Sequence, residues 1–192
     1  SDSDYLEVNV IEVKPGSTIT RKRVEKVRVE NGVVKLNPGD DLMYAYVIDR
    51  HHGTGSIGKG FVKGLGFKTG AIAQTIAHDT HNLIVTGYSI DDIVKAVERI
   101  VEIQGGIVIV DKGDIVSEIQ LRYAGLMSIE EPETVYQKLK KLVETVKERF
   151  GVSFESFFMT LSLISLPVIP EIRLTDKGYV DVNEGRIISL TV

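Results

Sequence analysis

Two strand-like runs stand immediately before the first helical stretch of this chain and two more between the first and the second, and that pairing limits the fold more than any motif does. Ala71–Ala77 and Leu83–Gly87 are short apolar runs flanking a polar connection. Ser89-Ile90-Asp91-Asp92 then offers a hydroxyl N-cap with an acid three residues on. Ile90, Ile93, Val94, Val97, Ile100 and Val101 follow on one helical face, and Gly105-Gly106 closes the helix. Ile107–Val110 is a continuous apolar run, as in a strand buried on both faces, and Asp111-Lys112-Gly113-Asp114 turns it into Ile115–Leu121. Pro132 opens a second helix with the stripe Val135, Leu139, Leu142, Val143, Val146 and Phe150, ended by Gly151. A crossover unit would place one strand between helices, whereas two can close as a hairpin. The expected fold is therefore α+β: mixed, mainly antiparallel sheet packed with two main helices, about 89–104 and 132–150.

The ends of the chain extend this pattern. Residues 5–13 and 22–36 read as strands, and Glu30-Asn31-Gly32-Val33 is a two-residue hairpin signal. Asn37-Pro38-Gly39-Asp40-Asp41 is a turn before the strand Leu42–Asp49. That turn divides the chain into a β-rich N-terminal segment, 1–40, and a larger α+β domain, 41–192. Phe157–Leu166 is strongly apolar and ends at Pro167 and Pro170. Leu174–Val182 reads as a hairpin turning at Asp176-Lys177-Gly178, and Arg186–Thr191 as a last strand.

Composition removes whole classes of chemistry. There is no Cys, which excludes disulfide frameworks, Cys-ligated zinc, iron–sulfur clusters and thiol nucleophiles. No apolar run approaches the roughly 18–20 residues of a membrane span, so no membrane partner is expected. The first ten residues, SDSDYLEVNV, are acidic and carry no secretory apolar region, which points to a cytoplasmic protein. A net charge of -4 with dispersed basic residues makes a poor nucleic-acid binder. At 192 residues the chain is too short for a (β/α)8 barrel, which takes roughly 200–250, beside anything else.

Gly53-Thr54-Gly55-Ser56-Ile57-Gly58-Lys59-Gly60 resembles two phosphate motifs and completes neither. As a P-loop it lacks the Ser or Thr after the lysine that would hold magnesium. Both motifs need a helix to start there, and Phe61–Gly70 has three more glycines and no helical stripe. Bends and close backbone contacts are the expected use of these glycines.

All four histidines, His51, His52, His78 and His81, fall in one stretch. His78-Asp79-Thr80-His81-Asn82 is a polar knot in apolar surroundings, and buried polar groups must be paired. His78, Asp79 and His81 offer nitrogen and oxygen ligands, yet neither H-x-H nor H-E-x-x-H occurs. The readings left open are a polar cluster facing substrate or an interface, a closed structural network, and a metal site. No G-x-S-x-G elbow surrounds any serine.

Val47-Ile48-Asp49-Arg50-His51-His52-Gly53-Thr54-Gly55, Gly60-Phe61-Val62-Lys63-Gly64, Gly70-Ala71-Ile72-Ala73 and Ala77-His78-Asp79-Thr80-His81-Asn82 resemble successive motifs of the C-terminal region of adenine deaminases. So do Gly105-Gly106-Ile107-Val108, Ala124-Gly125-Leu126-Met127-Ser128, Phe158-Met159-Thr160-Leu161-Ser162, Leu166-Pro167-Val168-Ile169-Pro170-Glu171 and Leu174-Thr175-Asp176-Lys177-Gly178. They keep the family's order from residue 47 to 182.

The resemblance implies an amidohydrolase that converts adenine and water to hypoxanthine and ammonia. In that family a barrel N-terminal to the matched region carries the chemistry, on His and carboxylate ligands of manganese or iron. This chain has no such barrel, so no metal ligand or catalytic group transfers to any position, and no cofactor is expected within it. The expected role is an accessory domain whose partners are the catalytic barrel domain, in cis or trans, further copies in a homo-oligomer, and a purine near the domain interface. The site candidates are His78, Asp79, His81 and Asn82, with Arg50 and His51, predicted to lie on one surface facing the active-site mouth or a subunit contact. The alternatives are a stand-alone purine-binding or regulatory module and an independent metallohydrolase.

Overall fold

A computed structural model describes residues 4–192; the first three residues of the 1–40 segment lie outside the described residues. Twelve strands and three helices follow in the order β1 (Asp4–Glu12), β2 (Arg21–Glu30), β3 (Val33–Lys35), β4 (Leu42–Ile48), β5 (Ile57–Lys63), β6 (Ala71–Gln74), β7 (Leu83–Gly87), α1 (Ile90–Glu102), β8 (Gly106–Asp111), β9 (Asp114–Gln120), α2 (Pro132–Phe150), α3 (Phe157–Leu163), β10 (Ile172–Thr175), β11 (Gly178–Asp181) and β12 (Arg186–Ile188). Nine of the strands form one sheet in the order β3-β2-β1-β5-β4-β7-β6-β8-β9, and β10-β11-β12 form a second. Every neighbouring pair is antiparallel except β1 with β5. This is the expected α+β fold with no barrel, and no helix among the described residues is long and apolar enough to cross a membrane.

The continuous apolar runs sit at the centre of the large sheet because both of its faces are covered. Ala71, Ala73, Val85, Val108 and Val110 pack with Ile93, Ala96 and Ile100 of α1. The alternate residues Ile72, Ile84, Ile107 and Ile109 join Leu142, Val146 and Phe150 of α2, Phe157 and Leu161 of α3, and Tyr179 of the small sheet. The period-two alternation of a strand thus sends neighbouring residues into two cores. Both main helices lie where expected, but α1 is rotated from its expected stripe. Ala96 and Asp92 are buried, while Val94 and Val101 are 47% and 68% exposed. The short methyl of Ala96 lets the helix approach the alanines of β6. Asp92 is retained because its carboxylate accepts the Gly113 N–H at 2.7 Å. Ser89 caps α1 by accepting the Asp92 N–H, and Asn31 and Gly32 turn β2 into β3 with φ of 52° and 76°.

The glycine-rich stretch holds a strand that its composition concealed. Gly58 and Gly60 lie in β5, against the small sheet. A methyl on Gly58 would meet the Thr175 carbonyl oxygen at 1.7 Å, and one on Gly60 would meet the Tyr179 ring at 2.7 Å. Here the glycines leave room for another sheet, with no helix following to hold a phosphate. The Tyr179 hydroxyl enters the space they leave. It accepts the Phe61 N–H and faces the carbonyls of Asn9 at 2.9 Å and Phe61 at 3.0 Å, so one buried phenol joins β1 to β5.

Removing that hydroxyl while keeping the ring, Tyr179→Phe, orphans the Phe61 N–H and is expected to cost about 1–3 kcal/mol in chemical denaturation. Gly58→Ala drives a methyl into backbone and is expected to cost about 3 kcal/mol. Parental stability in both variants would mean that the small sheet docks elsewhere.

Candidate functional site

Three connections meet beyond the ends of β4, β6 and β9: residues 49–56, 75–82 and 121–127. Asp49 organises the first. Its Oδ1 accepts the N–H groups of His51 and His52 at 3.2 and 3.3 Å, and its Oδ2 accepts the Thr54 N–H at 3.2 Å and hydroxyl at 2.6 Å. These donors, the Thr54 hydroxyl first, hold its carboxyl well below the usual carboxylate range. Asp49 lies outside the predicted site residues, and the signal that could have found it is an Asp followed two and three residues on by free N–H groups, the Asx-turn pattern.

Arg50 ties this turn to the other two. Its Nε donates to the His81 carbonyl at 2.6 Å and its Nη2 to the Ala124 carbonyl at 2.8 Å. Its backbone N–H donates to Asn82 Oδ1 at 3.3 Å. The guanidinium lies against Gly125, where a methyl would stand 3.0 Å from Nη1 and Nη2. Thr75 supports the same turn from beneath, its hydroxyl donating to the Gly125 carbonyl at 2.6 Å. Burial lowers the Arg50 pKa from its ordinary value.

The 77–82 turn is closed twice. The His81 N–H donates to the Ala77 carbonyl at 2.6 Å, and the Ala77 N–H donates back to His81 Nδ1 at 3.2 Å. His81 holds a φ of 52°, a conformation that His adopts more readily than most residues. The His78 ring lies tilted beside it, at 5.3 Å between ring centroids, and meets Ser162 of α3, whose hydroxyl lies at Nδ1 and also accepts the His78 N–H at 3.2 Å. His51 donates from Nε2 to the Thr80 carbonyl at 2.7 Å. Five of the six predicted residues, His51, Arg50, His78, His81 and Asn82, are thus joined directly or through this turn. Asp79 is exposed, and its carboxylate reaches the others only as a charge that raises the His81 pKa slightly.

The six do not all line one cleft. A cleft of about 610 Å³ is lined by Asp49, His51, Thr80, Asn82 and, from the β10–β11 turn, Asp176 and Lys177, while His78 and His81 lie beyond its lining. Ser162, Ala124 and Lys177 stand in motifs of the resemblance, but nothing in the sequence joins them to this site, since they lie 74 or more residues from their partners or from the motif they face.

The manganese or iron implied by the resemblance does not fit these residues. No group of three or more His, Cys, Asp or Glu is placed to hold a metal ion among the described residues. Three of the four histidines have a ring nitrogen occupied by a protein group: Ser162 at His78, the Ala77 N–H at His81 and the Thr80 carbonyl at His51.

Comparison with known proteins adds the family. The family described as "Adenine deaminase C-terminal domain" matches residues 17–186. The chain is 62% identical over 185 residues to the adenine deaminase of Staphylothermus marinus, covering 96% of this chain and 31% of that protein. It is 43% identical over 183 residues to that of Archaeoglobus fulgidus, covering 95% and 32%. With a strain of Dehalococcoides mccartyi the identity is 41% over 182 residues, covering 95% and 32%. The chain therefore spans about a third of the length of the curated relatives it matches.

The electrostatics of the turn set a pH dependence. His81 is held below its ordinary pKa of 6.5, first by burial, then by the neighbouring charges of His78 and Arg50. Below that ordinary value the unfolded chain binds a proton that folded His81 refuses, so this group's contribution to stability falls as pH falls. His81→Asn keeps an acceptor for the Ala77 N–H and tolerates positive φ. It is expected to lose less melting temperature than the parent between about pH 7 and about pH 5. Equal losses would show that His81 is not held neutral by the fold.

Proposed function

Because this chain belongs to the adenine deaminase C-terminal domain family, we propose that it is the accessory domain of an adenine deaminase, serving the conversion of adenine and water to hypoxanthine and ammonia without carrying the metal chemistry. The observation that carries this reading is the Arg50 clamp. It holds three connections from separate parts of the sheet as one polar surface, and it does so through backbone carbonyls, leaving the exposed Asp79 carboxylate and the outer edges of His78 and His81 for a ligand. On this reading the surface borders the purine site, and manganese or iron is held by the part of the enzyme outside this chain.

The assembly half of the role draws on the ground beside the clamp. The turn that anchors Arg50 through Ala124 continues into an apolar groove of about 520 Å³ lined by Leu126, Met127, Tyr136 and Leu139. Met127 and Tyr136 are 55% and 58% exposed, and with the groove they form a contiguous apolar patch beside the polar site. We assign this groove to the rest of the enzyme or to another copy in its oligomer. Within a cytoplasmic enzyme of that kind the domain would both close the assembly and present polar loops to the purine. A second reading, a stand-alone purine-binding module, is favoured by the cleft of about 610 Å³ that this chain forms by itself. Micromolar adenine binding to the isolated chain in calorimetry would support it over the accessory role.

Asp79 gives the direct test, because it is exposed and makes no hydrogen bond that the fold needs. In an intact adenine deaminase carrying this segment, Asp79→Ala is expected to lower kcat/KM about tenfold, the loss of one positioned hydrogen bond. Its melting temperature should stay that of the parent. Unchanged turnover would remove Asp79 from the site.

A further inference from the structure

The hydrogen bonds of the 77–82 turn determine where the histidine protons sit. His81 Nδ1 accepts the Ala77 N–H, so the proton of the neutral ring is on Nε2. At His78 the Ser162 oxygen already accepts the backbone N–H of His78, and the acceptor within reach of the Ser162 O–H is His78 Nδ1. The hydroxyl donates there, and the His78 proton is also on Nε2. Ser162 is wholly buried, so water does not offer its hydroxyl another acceptor. Neither Nε2 has a partner among the described residues, and both rings are partly exposed. His51 is the reverse case: its Nε2–H is spent on the Thr80 carbonyl, which can only accept.

We infer that His78 and His81 form a pair of outward N–H donors matched to a ligand edge that carries two lone pairs, and that this surface favours a 6-oxopurine over a 6-aminopurine. The purine identity rests on the function proposed above; the donor assignment does not. The rings stand 5.3 Å apart between centroids, within the span of one bicyclic base. A 6-oxopurine presents a carbonyl oxygen and a ring nitrogen side by side, both acceptors. Adenine presents the same ring nitrogen beside an amino group, which would set a donor against a donor. Switching either ring to the other tautomer would put two N–H groups face to face at Ala77, or leave the buried Ser162 hydroxyl without an acceptor. Deamination turns the amino edge into the oxo edge, so the pair is placed to hold the product rather than the substrate.

Imidazole nitrogen correlation spectra of the 15N-labelled 192-residue chain test the assignment, with rings linked to their own backbones so that no variant is needed. Above the histidine pKa range, His78 and His81 should both show a protonated Nε2 and a bare Nδ1. Ser162→Ala should average the His78 tautomers and leave His81 unchanged. Titration with hypoxanthine should move both Nε2 signals at concentrations about tenfold lower than adenine needs. A protonated Nδ1 on either ring of the parent overturns this inference, even where purines bind. Equal or tighter binding of adenine overturns the preference while leaving the purine reading intact. Correct tautomers with no response to either base overturn the ligand half of the inference and the stand-alone module, while the accessory reading is tested separately by Asp79→Ala in the intact enzyme.

Discussion

A single buried phenol connects the parts of this protein that its chain order separates. β1 and β5 are parallel neighbours in an otherwise antiparallel sheet, and their pairing is confined to Ile11 with Val62 and Glu12 with Lys63. Beyond that short ladder the backbone groups of Asn9 and Phe61 meet the Tyr179 hydroxyl instead. The tyrosine can reach them because Gly60 has no side chain, and the small sheet that carries it can settle because Gly58 has none. Burial pushes the phenol up, so it stays a neutral donor and acceptor across the physiological range. The β-rich start of the chain, the central strands and the last hairpins are thereby held in one structure.

A second buried group does the same work with a charge. Arg173 is 1% exposed and meets no carboxylate among the described residues. Its guanidinium donates to the carbonyls of Ile169 at 2.7 Å, Leu163 at 2.8 Å, and Thr18 and Pro170. Burial pushes its pKa down to about 10, which leaves it charged at neutral pH. Arg50 repeats the device at the candidate site, and in both places a fork of donors gathers carbonyls from distant segments. A turn held through its carbonyls does not spend its own side chains on that contact.

Much of the fold was legible because its signals are local. The Asn31-Gly32 turn, the Ser89 cap, Pro132, Gly151 and the two-faced apolar strands all act within a few residues. The sequence also put its site candidates in segments that the fold joins, since the 50–54 and 78–82 connections do meet. Two readings were displaced by packing. The stripe of α1 turned toward Ala96 because the alanines of β6 allow close approach, and the glycine-rich stretch became a strand because another sheet lies on it.

The sequence by itself determined the succession of hairpins and helices, the two-sided burial of the central strands and the clustering of the histidines. Those properties follow from periodicity, turn chemistry and order along the chain. Only the tertiary structure decided the parallel join of β1 to β5, the Ser162 hydroxyl at His78 across 84 residues, and the Arg50 bond to Ala124 across 74. The reason is physical. Every residue carries a carbonyl and an N–H, so a side chain that pairs with distant backbone leaves no pattern in the partner's sequence, and the proton positions that follow from such pairs exist only once the chain has closed.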